Sequence, residues 1–361
     1  MKTRAAVLYG INQPLRVEEL TLPFLQPGQV LVQIAYSGVC HSQLLEVRGK
    51  RGTDRFLPHT LGHEGAGWVI EVGERAGKVK RGDPVVLSWI KGSGMEVPRV
   101  VYEGAQGPVN SGAISTFMDY AIVAENRLTR IPGAMPLREA ALLGCAVPTG
   151  GGIVWNTAKI QPGQAIAVFG AGGVGLSAIM AAKAMNAGMI MAIDLFDHKL
   201  EYAKRMGATH TIHGLREKPV ETIRALTGGR GVDYAVEAAG TRETMEAAFQ
   251  SVCDKGGLCI LAGNLPRGEG ITLDPFDLIM GKKIIGTWGG ESRPDQDIPL
   301  WADQYLLGKL PLREMITHTY RLEDINQALE DLEKGRVGRA LIDLGNRHED
   351  FHRDRDREGR R

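Results

Sequence analysis

Three short runs carry residue types that could hold a metal ion: Cys40-His41-Ser42, Gly62-His63-Glu64 and Gly144-Cys145. Thiols and an imidazole are ligands for zinc and similar soft divalent ions. The spacing is not a Cys-x-x-Cys pattern, and each run alone has a second reading. Free cysteines are among the most buried residue types, and a lone histidine is often a satisfied structural residue. A fourth run, Gly170-Ala171-Gly172-Gly173-Val174-Gly175, is more telling because of its address. Residues 165–169 read as a short buried strand, Val174 to Ala187 as an apolar, Ala-rich helix, and Met189 to Ile193 as a second strand that ends at Asp194. In that setting Gly170 serves the tight turn, Gly172 lets the backbone approach a pyrophosphate, and Gly175 allows close helix–strand packing. The helix N-terminus, with Gly173 and Val174, offers free N–H groups and a positive dipole end to the phosphates. Asp194 can accept both ribose hydroxyls of NAD and would repel the 2′-phosphate of NADP. Leu195 and Phe196 offer no arginine for that phosphate, so NAD is predicted; the plainer reading of Asp194 is a solvated loop acid.

The elements around these runs divide the chain. Residues 1–147 look β-rich, with strand candidates at Val30–Ile34 (ended by Gly38), Trp68–Val72 and Val85–Ser88. Lys91 to Ser115 is rich in Gly, Ser and Pro and reads as a long loop or lobe. From 148 to 287 strand and helix alternate, with strands predicted at 165–169, 189–193, 208–212, 232–236, 258–262 and 283–287, the pattern of a doubly wound parallel sheet. Ile325, Ala328, Leu329 and Leu332 repeat at helical spacing before Gly335, and Ala340–Leu344 reads as a last strand. From Arg347 acid and base alternate with almost nothing to bury, and 347–361 is expected to be a disordered charged tail.

The 361 residues suffice for two domains, and the formal net charge of +1 suggests neither a nucleic-acid nor a membrane surface field. There is no long apolar run and no charged-then-apolar leader, so a cytoplasmic setting is expected. Four scattered cysteines do not make a disulfide framework. Cys253 and Cys259 read as core packing.

Gly62-His63-Glu64, with Gly67, Gly73 and Ala76 at their spacing, resembles the signature of zinc-containing alcohol dehydrogenases of the medium-chain dehydrogenase/reductase family. The resemblance extends to about Leu344. It includes Gly144-Cys145-Ala146-Val147-Pro148-Thr149-Gly150, the mid-chain glycine turn and Gly335-Arg336-Val337-Gly338-Arg339. It implies a fold of class α/β: a GroES-like β-barrel catalytic domain of 1–147 and 288–346 wrapped on a Rossmann domain of 148–287. It implies that Cys40, His63 and Cys145 are the ligands of one catalytic zinc with an open fourth position. It further implies that Ser42 passes the alcohol proton onward, that Glu64 stands behind the metal, and that His41 and Arg339 contact the pyrophosphate. Lys199 is placed at the adenosine ribose and Thr149 near the nicotinamide. The reaction expected is hydride transfer between an alcohol and NAD, on a small alcohol or carbonyl substrate. The chain is expected to be a homodimer or homotetramer, with residues near Lys282–Gly289 as a contact.

Three departures from the family pattern stand out. Gln43 replaces the acid that hydrogen-bonds the zinc-bound histidine; it can accept that bond but brings no charge, which lowers ligand basicity. Leu45 replaces the histidine that ends the proton relay, so the proton must leave through the cofactor ribose, His41 or water. The 91–115 lobe holds no cysteine, so no structural zinc is expected. Two rival readings keep the fold: a metal-free quinone or enoyl reductase, against which the ligand set argues, and a non-catalytic NAD-responsive binding protein. Trp89 and Trp288 read either as walls of the substrate pocket or as core.

Overall fold

The computed structural model describes residues 1–345. The tail expected from Arg347 lies outside the described residues. Six strands, Ala165–Phe169, Met189–Asp194, His210–His213, Tyr234–Glu237, Leu258–Leu261 and Lys283–Gly286, form one sheet with every pairing parallel. Ala165–Phe169 is buried along its whole length, as a strand with helices over both faces must be. Numbered in chain order, the strands lie 3-2-1-4-5-6 across the sheet. The order therefore reverses between Ala165–Phe169 and Tyr234–Glu237, and the crevice for a ligand opens at their carboxyl ends. The helix after the glycine turn spans Gly173–Ala184 rather than reaching Ala187, because Asn186 adopts a left-handed φ of 57° that closes it.

The other half of the molecule is antiparallel around one long strand, Gln29–Val39. It pairs with Glu64–Val72, with Tyr120–Ala124 and, at its far end, with Arg339–Asp343. The strand does not stop at Gly38 as the glycine suggests. A Cβ at Gly38 would meet the Glu64 carboxylate at 2.6 Å, so this glycine makes room for a buried acid instead of breaking the strand. The 91–115 lobe is also more ordered than its composition predicts. Val101–Gly104 and Gly107–Asn110 form a hairpin that closes a five-stranded barrel with Lys2–Leu8, Arg16–Thr21 and His59–Thr60. Tyr102 and Val109, cross-strand partners in that hairpin, are the side chains that it buries. Cys259 lies in the core of the parallel sheet, as expected; Cys253 is only partly buried. Among the described residues no helix is long and apolar enough to cross a membrane.

Candidate active site

Sheet register assembles one side of the site. Gln29–Val39 and Glu64–Val72 run antiparallel with Ser37 opposite Gly65, so the end of the first and the start of the second lie at the same edge. Cys40 follows the first strand directly, and His63 directly precedes the second. Ala340 lies opposite Val39 on the other flank, which brings Arg339 to that edge as well. Cys145 arrives from a distant stretch, as the residue before the helix Ala146–Gly152. Its approach depends on Gly144, where a Cβ would stand 2.3 Å from the Leu87 carbonyl oxygen and 2.8 Å from the Glu64 Cβ. Ser88 Oγ donates to the Gly144 carbonyl at 2.7 Å and holds that turn.

Four ligand atoms, one each from Cys40, His63, Glu64 and Cys145, lie within 4.8 Å of one another. The two sulfurs share the burden of charge unequally. Hydrogen bonding from Cys145, together with nearby His63 and Arg339, holds the Cys40 thiol well below its ordinary value despite burial. Cys40 in turn, with burial, pushes the Cys145 thiol well above it. A divalent cation between them would stabilise both as thiolates, and the His63 Nε2 is buried without a hydrogen-bond partner. The donor set and this orphaned nitrogen fit a zinc ion. Glu64, fully buried, forms an ion pair with Arg339, itself 4 % exposed.

Gln43 lies beside His63. Its side-chain oxygen accepts the Cys40 backbone N–H at 2.8 Å, and its side-chain nitrogen stands 2.8 Å from His63 Nδ1. A backbone N–H can only donate, so the amide oxygen is committed there. The amide nitrogen therefore faces Nδ1, in a contact whose direction depends on the imidazole tautomer.

On the dinucleotide side, Gly170 has a φ of +94°. A Cβ on Gly175 would stand 1.8 Å from the Gly170 carbonyl oxygen, whereas a Cβ on Gly172 would project into open space before the helix. That space is the cradle a pyrophosphate would fill. The Asp194 carboxylate is oriented by backbone N–H groups of Ala171, Leu195 and Phe196 at 2.8, 2.8 and 3.2 Å. Lys199 Nζ lies 5.0 Å from the Phe196 ring centroid. His41 and Leu45 face a cavity of about 420 Å³, together with Gly240 and Leu265 from the crevice side of the parallel sheet. Arg339 also reaches the helix start: its guanidinium stands 3.0 Å from where a Gly173 Cβ would be.

A second cavity, of about 440 Å³, brings the two halves together. Cys40, His63 and Cys145 line it, with Ser42, Thr149 and Val174. Trp89 and Trp288 form one wall, ring edge to ring face with centroids 5.0 Å apart. Sequence reasoning missed Phe56, Arg51 and Arg99, which line the same cavity. No motif marks them, since the barrel hairpin and the loop after residue 50 meet only in three dimensions.

This fold and this ligand set define a zinc-binding dehydrogenase. The "Alcohol dehydrogenase GroES-like domain" family model matches residues 26–133, and the "Zinc-binding dehydrogenase" model matches residues 173–303. The chain is 36% identical to an S-(hydroxymethyl)glutathione dehydrogenase of Synechocystis sp., over 95% of this chain and 100% of that protein. It is 34% identical to the enzyme of that name from Photobacterium damsela subsp. piscicida, with the same coverage. The crystal structure of benzyl alcohol dehydrogenase from Acinetobacter calcoaceticus superposes with a TM-score of 0.86 at 29% identity, covering 95% of this chain and 99% of that one. The chain belongs to the zinc-dependent alcohol dehydrogenases of the medium-chain dehydrogenase/reductase family.

Proposed function

We propose that this protein is an NAD-dependent alcohol dehydrogenase with one zinc per chain, held by Cys40, His63 and Cys145. The observation that carries the reading is the convergence of three ligands with Thr149 and Val174 on one cavity. Val174 comes from the helix that begins at the glycine turn, so a nicotinamide seated from that side meets the metal ligands. When bound, zinc supplies a Lewis acid that favours the ionised form of an alcohol or polarises a carbonyl. Ser42, whose side chain lines the cavity, takes up the alcohol proton. Leu45 cannot pass it on, and His41, facing the adjoining cavity, receives it directly or through water. Glu64 and Arg339 neutralise each other behind the ligands and fix the Cys40 edge. Gly170, Gly172, Gly173 and Gly175 hold the pyrophosphate, and Asp194, with Lys199, the adenosine ribose. In this reading residues 1–147 and 288–346 form the catalytic domain and 148–287 the NAD-binding domain.

Among the described residues the edge strand Lys283–Gly286 pairs on one side only and carries exposed Ile285; Phe276 and Ile279, in the helix that precedes it, are exposed as well. A second copy of the chain is assigned to that edge, as a dimer or as half of a tetramer. Four free cysteines agree with a cytoplasmic enzyme.

The test is turnover of simple alcohols, benzyl alcohol and S-(hydroxymethyl)glutathione with NAD or NADP, followed by absorbance of the reduced cofactor, alongside metal analysis. NAD-preferring turnover and one zinc per chain are expected. Preference for NADP, two zinc ions per chain, or full activity in Cys40→Ser would overturn the reading.

A further inference from the structure

Two buried donors beside the metal ligands have no oxygen or nitrogen to donate to: Trp89 Nε1 and Thr149 Oγ1. A buried donor left unmet is costly, so two in one place call for an acceptor. Both residues line the cavity of about 440 Å³ that Cys145 also lines. The backbone brings each of them to that cysteine. Thr149 stands one helical turn beyond it, its backbone N–H donating to the Cys145 carbonyl at 3.0 Å. Trp89 comes from the barrel side. Ser88 Oγ donates to the Gly144 carbonyl at 2.7 Å, which pins together the residues that precede Trp89 and Cys145. The Trp89 carbonyl accepts from Arg127 Nη1 at 2.5 Å, and its ring meets the Trp288 ring with centroids 5.0 Å apart. Backbone and ring of Trp89 are thus both fixed.

Sulfur is the acceptor left to these donors. Cys40 and burial push the Cys145 thiol up, and hydrogen bonding from Trp89 and from Thr149 works against them. A protonated thiol is a weak acceptor, whereas a thiolate takes hydrogen bonds as an ion does. The two donors therefore suit the ionised sulfur, which is the form a metal ion holds. The two thiols of the cluster differ in this respect. Cys40 has a cationic neighbour, Arg339, and Cys145 has two neutral donors.

We propose that Trp89 and Thr149 are positioning residues for the metal: with the site loaded, the indole N–H and the threonine hydroxyl both donate to the Cys145 sulfur. Each bond draws charge off the thiolate. A sulfur that donates less leaves more positive charge on the metal, and a stabilised thiolate gives up its proton more readily when the metal enters. The proposal rests on the reading of Cys40, His63 and Cys145 as zinc ligands, and adds two residues that act through one of them.

The test replaces zinc with cobalt(II), whose thiolate charge-transfer bands report the charge on the sulfurs. Trp89→Phe keeps an aromatic ring and removes the N–H. Its bands should move to lower energy, because a thiolate without that bond gives up an electron more readily. Thr149→Val should move them the same way, Thr149→Ser should return them, and the double variant Trp89→Phe with Thr149→Val should show the largest shift. Trp288→Phe changes the same wall and no donor to Cys145, so the bands should stay in place. Competition for zinc with a chromophoric chelator gives a second readout. Trp89→Phe and Thr149→Val should each hold zinc about tenfold less tightly at neutral pH, because the Cys145 proton is harder to displace. Bands that stay in place in both single variants and the double one, or a shift as large in Trp288→Phe, would overturn the proposal and leave the metal reading standing. A shift confined to one residue would overturn the role of the other, and unchanged zinc affinity in both would overturn the gain in metal retention. Cobalt taken up by the unaltered chain without thiolate bands would overturn the metal reading itself.

Discussion

The glycine turn and the thiol cluster serve one cavity and are built in opposite ways. The turn is six consecutive residues, Gly170 to Gly175, set by local backbone geometry between one strand and one helix. The cluster gathers Cys40, His63, Cys145 and the supporting Arg339 from four separate stretches: sheet register brings Cys40, His63 and Arg339 to one edge, and Cys145 joins them from the start of a helix. The difference teaches where each site is vulnerable. In the turn, neighbouring glycines have separable duties, one to packing and one to ligand. In the cluster, every member also answers to a buried neighbour, so removing one leaves another uncompensated.

The largest expected effect comes from the cluster. Cys40→Ser or Cys145→Ser should abolish zinc retention and lower kcat/KM by roughly 10⁴-fold, with unchanged circular dichroism. Metal analysis beside steady-state kinetics checks this. Next, Arg339→Leu should destabilise the protein by about 3–5 kcal/mol in urea unfolding, because Glu64 is left charged and buried. The double variant with Glu64→Leu should recover most of that loss; failure to recover would show that Arg339 acts chiefly through Cys40.

In the turn the comparison can be sharpened with two alanines. Gly175→Ala drives a Cβ to 1.8 Å from a backbone oxygen and should cost about 1–3 kcal/mol of stability. Gly172→Ala meets no protein atom and should leave stability within about 0.5 kcal/mol while weakening NAD binding. Calorimetric binding and thermal melts on both variants separate the two duties; equal melting losses would sink the division. The smallest effect concerns the imidazole. Gln43→Asp supplies an acceptor and a charge at His63 Nδ1, and competition with a chromophoric chelator should show zinc held about tenfold more tightly.

Legibility in the sequence follows the same division. The six parallel strands were readable to within two residues, because each is an apolar run bounded by turn residues. Gly38 was misread as a strand end, since nothing local announces that Glu64 needs its space. The barrel hairpin at Val101–Asn110 was missed because its composition is that of a loop and its pairing partners are distant. Gln43 was correctly placed beside His63, and the claim of the Cys40 N–H on its side-chain oxygen came only with the structure. Arg339 was read as a phosphate contact, and its pairing with Glu64 came only with the register of Arg339–Asp343 on Gln29–Val39.

By itself the sequence determined the dinucleotide turn, the acid at the end of the second strand and the alternation that makes a parallel sheet. Each is written in contiguous residues, and steric and periodic rules act over such distances. By resemblance it also named the three metal ligands. Only the tertiary structure decided what surrounds them: the Glu64–Arg339 pair, the hold of the Gln43 oxygen on the Cys40 N–H, and the meeting of Phe56, Arg51 and Arg99 at the cavity. Those contacts join residues far apart in the chain, and strand register and barrel closure, not local preference, set which side chains meet.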